Sequence, residues 1–90
     1  MGKRVEKSTW KQKCYCLRQQ YFANREFCIF FDTNIKTAIR MKVAVRNATV
    51  DQNHWVYNKD VVFTTDVIKY FNIDIEFCFK NEKDEENGIF

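Results

Sequence analysis

The stretch IKTAIRMKVAVR, residues 35–46, decides how this chain is read. Ile35, Thr37, Ile39, Met41, Val43 and Val45 occupy every second position, with Lys36, Ala38, Arg40, Lys42, Ala44 and Arg46 between them. A strand sends successive side chains to opposite faces, so the alternation predicts one apolar face and one basic face. A helix would scatter both sets around its axis, and the β-branched residues favour a strand. The expectation is a strand over 35–46 with its odd-numbered residues buried.

The neighbouring segments extend that reading. Phe27 to Phe31, FCIFF, reads as a strand joined to residues 35–46 by a hairpin loop at Asp32-Thr33-Asn34. Downstream, 47–53 is a polar loop, Trp55-Val56-Tyr57 a short strand, Asn58-Lys59-Asp60 a turn, and Val61 to Thr64 another strand. Residues 65–71 fit either one helical turn or a bulged strand. Ile73, Ile75, Phe77 and Phe79 alternate with Asp74, Glu76 and Cys78, predicting a second half-buried strand with an acidic outer face. Upstream, Trp10, Cys14, Leu17 and Tyr21 share one helical face behind a capping Ser8 or Thr9, and Cys14–Leu17 also fits a short strand. A helix over 10–22, ended by Asn24, is adopted. The predicted fold is a small antiparallel β-sandwich, with an N-terminal helix packed on an antiparallel sheet (α+β) as the alternative. A single domain over 9–80 lies between a frayed basic N-terminus (1–8) and an acidic mobile tail (81–90).

Ninety residues, 46% hydrophobic and 17% aromatic, suffice for one core that buries roughly 60–65% of the unfolded surface. Proline is absent and glycine occurs twice, so turns must lean on Asn and Asp. No apolar run is long enough to span a membrane, and the N-terminal stretch lacks a signal-peptide core and a myristoylation pattern. A cytoplasmic protein without a membrane partner is expected. Residues 1–46 hold eleven Lys/Arg and three Asp/Glu, net +8, whereas 47–90 hold four and nine, net −5. That asymmetry implies either a basic binding face or basic and acidic strands paired in one sheet.

The placed strands resemble a carbohydrate-binding module of family 21, the starch- and glycogen-binding type found in glycogen-targeting subunits of protein phosphatase 1. The resemblance rests on FCI at 27–29, VAVRN at 43–47, IEFCF at 75–79 and the later Asn87-Gly88. It implies a β-sandwich and an aromatic sugar platform for a polysaccharide such as glycogen or starch. Phe63 stands where that platform has a tryptophan, and Lys7 where the phosphatase-docking motif needs an aromatic.

The inventory for catalysis is thin, and an enzyme is not expected. There is one histidine, no Gly-rich phosphate loop and no zincin motif. Cys14 and Cys16 are too closely spaced for a usual zinc pair, and Cys28 and Cys78 read as buried small hydrophobes. No metal, disulfide or cofactor is expected. Asp74 and Glu76 form an acid pair that a solvated strand face explains, and the sequon Asn47-Ala48-Thr49 requires a secreted protein. A binding or interaction module remains. Its sharpest version is an aromatic patch of His54, Trp55, Tyr57 and Phe63 that stacks on sugar rings or grips a protein. The alternatives are a basic face of Lys36, Arg40, Lys42 and Arg46 that tracks nucleic-acid phosphates, or a structural subunit of a larger assembly.

Overall fold

A computed structural model describes residues 7–49 and 60–88. The order is α1 (Trp10–Leu17), β1 (Tyr21–Phe22), α2 (Asn24–Phe30), α3 (Ile35–Thr49), β2 (Val62–Phe63), α4 (Thr64–Phe71) and α5 (Ile75–Glu86). The expected β-sandwich is therefore wrong, and the α+β alternative is nearer. Among the described residues the only sheet is the antiparallel pair β1–β2, with Tyr21 opposite Phe63 and Phe22 opposite Val62. Residues 27–30 lie in α2, 35–46 in α3 and 75–79 in α5, so the strands behind the carbohydrate-module resemblance are helices. The segment 32–34 joins two helices rather than two strands. Of Val61–Thr64 only Val62 and Phe63 are extended, and Thr64 opens α4. The expected strand at 55–57 lies outside the described residues.

Local chemistry explains these helices. α1 begins at Thr9, whose hydroxyl accepts the Gln12 N–H at 3.2 Å while the Gln12 side chain accepts the Thr9 N–H at 2.8 Å. The expected cap is thus present, and α1 ends several residues before position 22. α3 begins behind Asn34, whose side chain accepts the Thr37 N–H at 2.9 Å. Asp74 does the same for α5 through the Phe77 N–H at 3.0 Å. Asp32 and Asn72 both adopt positive φ, 51° and 52°, where the chain turns between helices. Short Asx side chains tolerate that conformation, which is how a chain so poor in glycine reverses direction.

The core joins these elements through aromatic and small residues. Phe22, Phe27, Val45, Val62, Val67, Cys14 and Cys16 are fully buried. Phe22 packs edge-on against Phe27 with ring centroids 5.2 Å apart, and Phe31 meets Phe71 at 4.7 Å, joining β1, α2 and α4. α1 packs on α2 and α5, while α3 packs on α2 and α4. α5 runs to Glu86, into the charged stretch that reads as a tail. Among the described residues, no helix is long and apolar enough to cross a membrane.

Candidate interaction face on α3

Helical geometry divides residues 35–46 differently from a strand. Ala38 and Val45 are buried, and Met41 packs against the core beside them. Their i, i+3, i+7 spacing is one helical face. Ile35, Ile39 and Val43 point away from it and are 55%, 44% and 47% exposed. The expectation that all odd-numbered residues are buried fails because only Met41 and Val45 of that apolar set share the inward face with Ala38. Spacing of i, i+4, i+8 instead stacks Ile35, Ile39 and Val43 in a row about 12 Å long.

The four basic residues separate as well. Lys42 Nζ donates to the Asp60 carbonyl at 3.2 Å, and Arg46 Nη2 to the Val61 carbonyl at 2.9 Å. Both therefore fasten α3 to the chain entering β2. Lys36 and Arg40 are exposed, border the aliphatic row, and have no carboxylate partner among the described residues. The four-cation face of the strand reading is reduced to this pair.

The predicted aromatic patch does not assemble among the described residues. His54, Trp55 and Tyr57 lie outside them. Phe63 is half-buried in β2, its ring 5.2 Å from that of Tyr21, as a cross-strand pair. Asp74 is occupied as the α5 cap, leaving Glu76 exposed beside it.

A groove of about 340 Å³ lies between α1 and α2, lined by Lys11, Gln12, Tyr15, Cys16, Arg25 and Ile29. Gln12 is committed to the α1 cap, and the nearby Glu26 accepts the Ala23 N–H at 2.8 Å. Burial pushes the Cys16 thiol up to about 11, so it is a poor nucleophile at neutral pH. Cys14 is likewise pushed up to about 11, chiefly by burial. No group of three or more potential metal ligands occurs among the described residues.

The residues missed by the strand reading are Ile35, Ile39 and Val43, which it assigns to the core. Their i, i+4, i+8 spacing, about a third of a turn around the helix from Ala38, Met41 and Val45, is the signal that identifies them. No protein-family model, curated protein or solved structure matches this chain.

Proposed function

We propose that this chain is a non-enzymatic protein-interaction module whose working surface is the outer face of α3. The observation that carries the reading is the row Ile35, Ile39 and Val43, about half exposed on three successive turns and bordered by Lys36 and Arg40, cations with no carboxylate partner among the described residues. Scattered exposed aliphatics are ordinary, whereas a contiguous row edged by charge suits a partner helix or surface. Covering the remaining exposed area is worth about 1 kcal/mol per side chain. Association itself costs an estimated 4 kcal/mol or more, so the row needs reinforcement from its charged border. The partner it suits carries apolar side chains flanked by carboxylates.

Phosphate tracking has weaker support. Lys42 and Arg46 are engaged with backbone carbonyls, leaving two cations about 6 Å apart along the helix. The polysaccharide reading loses the sandwich on which its resemblance depends.

The test is affinity capture with the wild type, the Ile39→Asp/Val43→Asp double variant and a control variant, Thr65→Asp. Circular dichroism confirms that each is folded. The reading expects proteins retained by the wild type and the control but lost from the double variant. Retention of the same proteins by all three overturns it, as does retention of none by a chain that also fails to self-associate.

A further inference from the structure

The chain also carries a surface complementary to α3. At the corner between α4 and α5, Asp74, Ile75, Glu76 and Phe77 follow one another in sequence, and all four are exposed. Phe77 is 55% exposed and Ile75 37%, the former in a T-shaped pair with Trp10 whose ring centroids are 6.0 Å apart. Asp74 caps the helix, while Glu76 has no ion-pair partner among the described residues. This corner is apolar and acidic where the α3 face is apolar and basic.

The two surfaces do not cover one another within one chain. α5 packs on α1, α3 packs on α2 and α4, and α3 and α5 share no substantial packing among the described residues. The +8 and −5 halves of the sequence have the same polarity, with the exposed cations of α3 in the first and Glu76 in the second. Some of that asymmetry is spent internally, since Arg18 on α1 pairs with Glu82 on α5 at 2.8 Å. Lys36, Arg40 and Glu76 are outside that pairing.

Resting on the assignment of α3 as the working surface, we propose that its partner is a second copy of this chain. The α4–α5 corner of one copy seats on the α3 face of the other. Ile75 and Phe77 lie against Ile35, Ile39 and Val43, and Glu76 faces Lys36 and Arg40. The joined patches differ, so two copies related by a two-fold axis form the contact twice, an isologous dimer, and without that axis the contact is heterologous and longer assemblies grow. Because the charges lie at the rim, salt weakens the contact.

The experiment is sedimentation velocity on the full 90-residue chain, from low to high micromolar concentration, at two salt concentrations. The expected result is a mass that rises with concentration and falls back toward monomer in high salt. Lys36→Glu/Arg40→Glu alone and Glu76→Lys alone should each weaken self-association at least tenfold. An equimolar mixture of these two variants should associate again, because each then offers a surface complementary to the other's. Val43→Ser, which changes no charge, should also weaken it. Circular dichroism verifies the fold of every variant. A wild type that stays monomeric throughout, or a mixture no more associated than its components, overturns the proposal. If the monomeric protein still loses captured partners on Ile39→Asp/Val43→Asp, the second-copy assignment falls and the α3 assignment stands.

Discussion

The Glu85 carboxylate caps a helix 75 positions away, with its Oε2 accepting the Trp10 backbone N–H at 2.9 Å. Its Oε1 accepts the Lys11 N–H at 3.2 Å. With the reciprocal Thr9–Gln12 bonds, all four otherwise orphaned donors at the start of α1 are satisfied. The negative charge also sits at the positive end of the helix dipole. Nearby, the Cys14 thiol donates to the Cys78 carbonyl at 3.3 Å, and Arg18 grips Glu82 through two bonds of 3.1 and 2.8 Å. These polar contacts hold α5 to α1 beside the packing of Trp10 on Phe77 and of Arg18 over the Phe79 ring. Glu85→Ala should cost about 1–2 kcal/mol, and Glu86→Ala, exposed on the same helix, less than about 0.5 kcal/mol. Urea denaturation of both variants checks this, and equal losses would contradict the capping role.

The division of the basic residues predicts a matching division in stability. Arg46→Ala removes a charge-assisted bond to the Val61 carbonyl and should cost about 1.5 kcal/mol. Arg40→Ala should stay within about 0.5 kcal/mol of wild type. Thermal melts of the two variants decide it, and the reverse order would return Arg46 to the solvent face.

Asp32 makes part of the stability depend on pH. Burial alone would raise its carboxyl, but the Lys13 ammonium at 2.8 Å and the Ser8 N–H at 2.6 Å outweigh it and hold it below the ordinary value. A depressed carboxyl contributes stability that is complete above its unfolded pKa, about 4, and is lost as pH falls through the lower folded value. Asp32→Asn keeps a residue that tolerates the positive φ and should flatten the acid limb of a stability–pH curve. An unchanged acid limb in the variant would contradict this.

The cysteines should differ in reactivity. Cys14 and Cys16, buried and with thiols pushed up to about 11, should resist iodoacetamide at pH 8 in the folded protein. Cys28 is only half-buried and should be alkylated first, and all four should react in urea. Mass spectrometry of the labelled protein checks the order, and rapid native labelling of Cys16 would overturn it.

Residues 35–46 show why the fold was only partly legible. Their apolar residues satisfy a period of two and, through Ala38, Met41 and Val45, a helical face as well. Alanines at 38 and 44, with the Lys, Arg and Met around them, are good helix formers and poor strand formers. The scarcity of Gly and Pro pointed the same way, because helices joined by Asx turns need fewer of either. Thr9 did announce α1, since a hydroxyl before a periodic run is a local signal. Asn34 and Asp74 play the same part for α3 and α5, but their segments alternate strongly enough to mask it. The α3 row was visible as residues and misplaced as core, because exposure depends on which period the chain adopts. The corner at residues 74–77 was legible only as an acidic strand face, and its relation to α3 depends on packing that local sequence does not encode.

The α3 helix places Val45 in the core and leaves Val43 exposed on its outer face. Urea denaturation of Val43→Asp and Val45→Asp distinguishes this helix from a strand. A strand over 35–46 with odd residues buried would make both substitutions cost several kcal/mol. The helix predicts a change below about 1 kcal/mol for Val43→Asp and a loss of about 3 kcal/mol or more for Val45→Asp, which places a charge at a fully buried site. Equal, large losses from both would contradict the helical face and the interaction surface built on it.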